Sequence, residues 1–157
     1  MMRPAWTDAV TRRPRSVLVA EDDDDLRKLL ADALRAEGFT VIECANGLAL
    51  VEALVWRLEA EERPLDLIVS DVRMPGVTGL SVLEGLSAWG EIRNPPMILI
   101  TAFGNPHLHE LARRFGAVSL LEKPFEMKAL MRMVRQAIDW SAPRGDSCPE
   151  TDICPDR

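Results

Sequence analysis

The chain has 157 residues, of which 47% are hydrophobic, and it carries a formal net charge of -6 at pH 7. Its length suits one domain with a sizeable core and is too short for two ordinary domains. The acidic balance offers no electrostatic footprint for nucleic acid, and no apolar run is long enough to form a signal peptide or to span a bilayer. We therefore expect a cytoplasmic domain without direct nucleic-acid binding or membrane insertion.

The first two predicted units each join a short apolar strand to an amphipathic helix. The first strand is SVLVA at residues 16–20, after which four leucines recur on one helical face. Asp23 or Asp24 is expected to cap this helix, and Gly38 to end it. The second strand is FTVIECA, and its helix begins after Gly47.

Three further units follow with the same arrangement. Their strands are LDLIVS at 65–70, MILIT at 97–101 and AVSLL at 117–121, and the last helix begins after Pro124. The third and fourth strands are nearly all apolar, as expected for strands covered by helices on both faces of a parallel sheet. The chain is therefore predicted to be an α/β protein with a doubly wound, five-stranded parallel sheet.

The two ends of the chain lack the apolar periodicity of the middle. We expect residues 1–15 to form a flexible N-terminal extension, 16–140 the domain, and 141–157 a disordered C-terminal tail. The tail has only 17 residues, too few for a DNA-reading or catalytic output domain. Of the three cysteines, Cys44 is expected to be a small buried residue, and the other two to be solvated in the tail.

Polar residues with phosphate chemistry stand at the ends of four predicted strands. Glu21 and Asp22 follow the first strand, Asp71 follows the third, Thr101 ends the fourth and Lys123 follows the fifth. Each alone has an ordinary explanation as a helix cap, a turn residue, a strand residue or a surface lysine. Because the carboxyl ends of parallel strands share one edge of the sheet, their common placement favours a single site.

The acidic part of this site predicts a divalent cation. Two carboxylates about 4 Å apart repel each other by roughly 4 kcal/mol at an effective dielectric constant near 20. Mg²⁺ prefers a few carboxylate oxygens together with water and phosphate oxygens, and it would relieve that repulsion. Lys123 and Thr101 would supply hydrogen-bond donors where charge develops on a transferred phosphoryl group.

Four sequence segments resemble the receiver domain of bacterial two-component response regulators. They are VLVAEDDDDLRKLL, DLIVSDVRMPGVTGL, ILITAFG and LLEKPF, and the resemblance covers about residues 16–140. It implies a flavodoxin-like sheet with strand order 2-1-3-4-5, as in stand-alone chemotaxis regulators. It also implies a cis Lys123–Pro124 bond, which aims the lysine inward.

The resemblance assigns a role to each residue of the predicted site. Asp71 would accept a phosphoryl group from a phosphohistidine, and Thr101 and Lys123 would contact the phosphoryl oxygens. The groups implied to hold Mg²⁺ are Glu21, Asp22, Asp71 and the backbone carbonyl of Arg73. The implied partners are a histidine kinase or histidine phosphotransfer protein and a downstream protein target, with a weak homodimer left open.

The leading interpretation is a phosphorylated receiver, which is a substrate rather than an enzyme and slowly loses its own phosphate. Two other functions remain as alternatives. A pseudo-receiver that only binds proteins is suggested by Leu120, where many receivers have Tyr or Phe to follow the hydroxyl residue inward. We expect Leu120 to weaken that switch. An aspartyl-nucleophile phosphatase would need a second acid two residues after Asp71, where this chain has Arg73.

Two further features concern residues near the site. Arg73 and Phe103 each lie two residues beyond a site residue and are predicted to gate water, which would set the lifetime of the phosphate. His107 and His109 have no matching ligand set and are expected to be exposed at the start of a helix.

Overall fold

The structure is a computed structural model that describes residues 14–59, 65–88 and 94–141. The expectations for most of the N-terminal extension, and for the tail with its two cysteines, lie outside these residues. Within the described ranges, no helix combines the length and the apolar character needed to cross a membrane.

The five predicted strand-helix units are all present. Their bounds are β1 Ser16–Ala20, α1 Asp24–Ala36, β2 Thr40–Cys44, α2 Gly47–Glu59, β3 Leu67–Asp71, α3 Gly79–Ala88, β4 Met97–Thr101, α4 Pro106–Arg114, β5 Ser119–Glu122 and α5 Met127–Ser141. All neighbouring strands are parallel, and their order is β2-β1-β3-β4-β5. The predicted flavodoxin-like α/β architecture is confirmed.

The core is divided by the sheet into two layers. One cluster lies between the sheet and helices α1 and α5, and the other lies between the sheet and helices α2, α3 and α4. Every residue of β3 and β4 is buried, which explains why these strands are nearly continuous apolar runs. Cys44 is buried as expected, and burial raises the pKa of its thiol to about 11.

Local signals fix several of the helix ends. The Asp23 side chain accepts a hydrogen bond from the Leu26 amide at 2.9 Å, which confirms it as the N-cap of α1. Gly38 has a φ of 95°, a left-handed conformation that favours glycine where the chain turns after α1. Asn105 caps α4 in the same way as Asp23 caps α1, a cap that the sequence analysis did not predict.

Three strands differ from the predictions at both of their ends. β2 is shorter than FTVIECA by one residue at each end, and β3 extends from Leu67 to include Asp71. β5 begins at Ser119 rather than at residue 117 and ends at Glu122. β5 starts later than predicted because the Ala117 amide donates to the Ala112 carbonyl at the end of α4. Residue 117 therefore belongs to the turn after the helix.

Candidate metal and phosphoryl site

Three carboxylates meet where β1 and β3 end. Glu21, Asp22 and Asp71 can each place one oxygen within 4.8 Å of the other two. Glu21 and Asp71 are buried, with 1% and 5% of their surface exposed, whereas Asp22 is open to solvent. Because β1 and β3 are adjacent parallel strands, residues 50 positions apart in the sequence reach the same edge. The predicted convergence of these three acids is therefore present.

Lys123 lies between the two buried carboxylates. Its Nζ donates to Asp71 Oδ2 at 2.9 Å and to Glu21 Oε2 at 3.2 Å. The Lys123 amide donates to the Thr101 carbonyl at 2.7 Å, and the Lys123–Pro124 bond is cis as predicted. In this structure the ammonium is thus the counterion of the two buried acids.

Thr101 and Arg73 border the same carboxylate edge. β4 is adjacent to β3, with Asp71 opposite Ile100, so Thr101 lies one position further along the edge. Thr101 is buried, and its hydroxyl accepts a hydrogen bond from the Phe103 amide at 3.2 Å. The Arg73 amide donates to Asp71 Oδ1 at 3.1 Å, so both oxygens of Asp71 are engaged. The roles of the Thr101 hydroxyl and the Arg73 carbonyl stay predictions.

The buried charges shift each other's protonation. Burial raises the pKa of Glu21 to about 7, and the negative charge of Asp71 contributes to this rise. The Asp23 amide, which donates to Glu21 Oε1 at 3.2 Å, and the Lys123 ammonium both oppose it. Burial by itself lowers the pKa of Lys123, but its hydrogen bonds and charge interactions with Asp71 and Glu21 outweigh burial, so the pKa is raised. Without a cation, the pKa of about 7 leaves Glu21 only about half ionised at neutral pH.

Arg27 supports the acidic loop and was missed by the sequence analysis. Its guanidinium donates to the Glu21 carbonyl at 2.9 Å and lies 3.7 Å from the Glu43 carboxylate of β2. The sequence shows a basic residue shortly after the acidic run, which could have suggested this contact. It does not show that the arginine side chain turns back to the loop. The contact holds the backbone that carries two of the three acids.

Arg73 and Phe103 lie next to each other beside the site. The Arg73 guanidinium lies over the Phe103 ring, 5.1 Å from its centroid, and the ring is 65% exposed. The sequence analysis grouped these residues only by their spacing from Asp71 and Thr101, and the structure places them in contact. Their effect on water access stays a prediction.

The face formed by α4 and β5 carries a polar pair that the sequence analysis did not identify. His107 and His109 are exposed near the start of α4, as predicted. His109 Nε2 lies 2.9 Å from Glu122 Oε1 at the end of β5. Leu120 packs into the core layer beneath α4 together with Leu108.

The family follows from the sequence match that covers this site. Residues 17–135 match the response regulator receiver domain. The chain belongs to the response regulator receiver family. This receiver is 37% identical over 131 residues to the transcriptional regulatory protein FixJ of Azorhizobium caulinodans, which covers 82% of the chain and 57% of FixJ. It is 35% identical over 133 residues to the transcriptional regulatory protein PdtaR of Mycobacterium tuberculosis, covering 84% of the chain and 60% of PdtaR.

A relative of similar length is also matched. The polar-differentiation response regulator DivK of Brucella anthropi is 33% identical over 122 residues, which covers 78% of this receiver and 94% of DivK. The receiver thus spans less than two thirds of FixJ and PdtaR but nearly all of DivK.

Solved structures agree with the fold. The crystal structure of FixJ-N has a TM-score of 0.66 and 29% identity, and the match covers 82% of this receiver and 96% of that chain. The chemotaxis response regulator CheY4 of Vibrio cholerae has a TM-score of 0.65 and 25% identity, and the match covers 80% of this receiver and 99% of that chain. Both support the same five-stranded receiver architecture.

Proposed function

We propose that this receiver accepts a phosphoryl group on Asp71 in a Mg²⁺-dependent reaction and passes the signal on by protein contact. The observation that carries the proposal is the meeting of three acids with Lys123 at one edge of the sheet, within a chain of the receiver family. The phosphoryl donor would be a phosphohistidine of a histidine kinase or of a histidine phosphotransfer protein. The receiver would act as a substrate rather than as a turnover enzyme.

The residues present fit a hard divalent cation. Carboxylate oxygens are the ligands that Mg²⁺ prefers, and one oxygen from each of Glu21, Asp22 and Asp71 lies within 4.8 Å of the others. The raised pKa of Glu21 reflects a site that a cation would stabilise. Mg²⁺, when bound, would neutralise charge on the transferred phosphoryl oxygens. These three carboxylates, with the predicted help of the Arg73 carbonyl, would hold it.

In the proposed transfer, an oxygen of Asp71 forms a bond to phosphorus as the bond between phosphorus and the donor imidazole breaks. The donor nitrogen keeps the electron pair of the broken bond and takes up one proton from solvent, which leaves the donor histidine as a neutral imidazole. Lys123 is held 2.9 Å from Asp71, where its ammonium can follow the developing charge on the phosphoryl oxygens. Thr101, one position beyond the residue opposite Asp71, would donate a hydrogen bond from its hydroxyl to the same group.

Labelling with a small phosphodonor tests this proposal directly. The full chain is incubated with acetyl phosphate, with and without Mg²⁺, and the added phosphoryl mass is measured on the intact protein. We expect one phosphoryl group that depends on Mg²⁺ and is lost in Asp71→Asn. Asp25→Asn is the matched control, because Asp25 is an exposed acid in the same acidic run and is not one of the three clustered carboxylates. It should be labelled like the parent chain.

Three results would contradict this proposal. Failure of labelling in the parent chain, with the fold intact, would favour the pseudo-receiver that Leu120 suggests. Labelling that survives in Asp71→Asn would place the acceptor elsewhere. Rapid multiple turnover of the phosphodonor would favour a phosphatase and would contradict a substrate-like role.

The proposed output can be followed with a phosphoryl mimic. A related receiver from NtrC4 is described as a beryllofluoride-activated dimer, with 26% identity and a TM-score of 0.67. Beryllofluoride can therefore be added to this chain while amide shifts and sedimentation are recorded. Because Leu120 lacks a ring, we expect smaller shifts across residues 105–121 than in a Leu120→Tyr variant. A concentration-dependent dimer formed only with beryllofluoride would support a weak homodimer.

A further inference from the structure

Helices α2 and α3 form an apolar groove on the surface, lined by residues other than those of the acidic site. The groove has a volume of about 180 Å³. Its walls are made by Val51, Leu54 and Val55 of α2 and by Val82 and Leu86 of α3. None of these side chains belongs to the acidic site, so the groove is a separate feature of the surface.

The outer face of α2 extends this apolar surface. Leu48, Val55 and Trp56 expose 59%, 39% and 56% of their surface. A surface helix normally has a polar side opposite its buried stripe. In α2 only three of the 13 residues are charged, and apolar residues therefore occupy positions where solvent-facing polar residues are expected. Several large apolar side chains exposed on one helix are typical of an interaction site.

Gly85 provides an independent sign that the groove is kept open. It lies inside α3 and lines the groove. Glycine is the least favourable residue for a helix interior after proline. A Cβ atom added at Gly85 would meet nothing within 4 Å, and no positive φ requires glycine there. The described part of the chain therefore gives no reason for this glycine, whereas close approach of another molecule would.

Three of the four charged residues in the described spans of α2 and α3 are acidic. Glu52 and Glu59 lie three and four residues from Val55 on α2, and Glu84 lies three residues from Ser81, which also lines the groove from α3. All three glutamates are exposed. Within the described spans of these two helices the basic residue is Arg57, which is half-buried. The apolar groove therefore has an acidic rim.

We propose that the α2–α3 groove docks an amphipathic helix of a partner protein, with apolar residues in the groove and lysines or arginines facing the three glutamates. Helix-in-groove binding uses apolar anchors at spacings of three, four and seven residues. A second copy of the chain fits less well, because a two-fold interface would place the acidic rims against each other. The groove residues do not include any residue of the acidic site, so peptide binding is expected without a phosphodonor and without phosphorylation of Asp71.

A pair of synthetic helical peptides tests both the apolar and the electrostatic part of the proposal. One peptide has leucines on a single face and lysines beside them, and the control peptide has the same leucines with glutamates in place of the lysines. Each is titrated into the full isotope-labelled chain, up to about 1 mM, while amide shifts are recorded. We expect the shifts for the lysine peptide to concentrate in α2 and α3, with affinity about tenfold higher than for the glutamate peptide.

Three variants locate the binding surface. Gly85→Leu adds a side chain at a groove position where a Cβ atom meets nothing within 4 Å, and it removes an unfavourable helix residue, so it should fold, melt at a higher temperature and lose at least tenfold in peptide affinity. Val55→Ser should also weaken binding, because it removes an apolar side chain from the groove without changing the charge. Leu29→Ser is the matched control, because Leu29 is 57% exposed on α1 and lies on the other side of the sheet. It should bind the lysine peptide like the parent chain.

Several outcomes would overturn the proposal. These are equal affinity for the two peptides, no shifts in α2 and α3 at the highest peptide concentration, or unchanged affinity in a folded Gly85→Leu variant. Sedimentation of the parent chain as a dimer that Gly85→Leu disrupts would assign the groove to a second copy and overturn the partner helix. Loss of phosphoryl labelling with intact peptide binding would reject the proposed function alone.

Discussion

Glu21→Gln is expected to remove much of the pH dependence of stability of the metal-free protein. Burial raises the pKa of Glu21 to about 7, compared with 4.5 for an unperturbed glutamate. The fold therefore favours the protonated form of this side chain. The destabilising contribution of Glu21 is absent below pH 4.5, grows as the pH rises towards 7 and is complete above 7. The pKa difference corresponds to about 3 kcal/mol of unfolding free energy.

The neutral glutamine should not experience this penalty. At about pH 8 without metal, we expect the variant to be roughly 2 to 3 kcal/mol more stable than the parent chain, and at about pH 5 the difference should fall to about 1 kcal/mol or less. Lys123 loses one acceptor in the variant but keeps its 2.9 Å hydrogen bond to Asp71. That remaining hydrogen bond limits the stability lost through the Lys123 contacts.

Urea unfolding in a chelator-containing buffer measures the effect at several pH values. The parent chain, Glu21→Gln and the control Glu110→Gln are compared, so that titration of other groups cancels in the differences. Glu110 is a suitable control because its side chain is 60% exposed and pairs with Arg113 on the surface of α4. If the parent chain and Glu21→Gln lose stability in parallel between about pH 5 and pH 8, the burial argument is refuted.

The remaining predictions concern the acceptor, the gate and a close backbone approach. Asp71→Asn should raise the unfolding free energy of the metal-free chain by about 1 kcal/mol, or roughly 2 to 4 °C in melting temperature, because it removes one of three crowded carboxylates; a lower melting temperature would argue against crowding. Serine in place of Arg73 or Phe103 should speed phosphate loss from the labelled chain several-fold by opening the site to water, and an unchanged rate would exclude gating. Gly47→Ala should cost about 2 kcal/mol in urea unfolding, because its Cβ would collide with the Val77 carbonyl; equal stability would contradict that contact.

Most of the fold follows from patterns visible in the sequence. Mainly apolar runs of five to seven residues alternate with amphipathic helical segments, and this alternation predicts a parallel sheet with helices on both faces. The strand ends were less predictable, since Ala117 continues the apolar run but forms a hydrogen bond with the end of α4. A residue's apolar character does not determine which backbone group its amide contacts.

The sequence predicted which side chains converge at the site, but it did not predict the hydrogen bonds between them. Strand ends brought Glu21, Asp71 and Lys123 to the same edge, and the structure places them together. That the lysine bridges both buried acids depends on side-chain reach across the strands, which spacing does not give. Arg27 and the His109–Glu122 pair were missed for the same reason, because their contacts join different elements.

The sheet order also bears on how this protein can avoid misassembly. β2 and β5 are the outer strands, and an outer strand offers free backbone groups to strands of other chains. Arg35 of α1 donates to the Val41 carbonyl of β2 at 3.5 Å and to the Glu43 side chain of β2 at 3.1 Å, so a charged side chain covers part of that border. β5 has only four residues, which leaves little length for recruiting a foreign strand. Fibril-like growth from this sheet is thus discouraged at both borders.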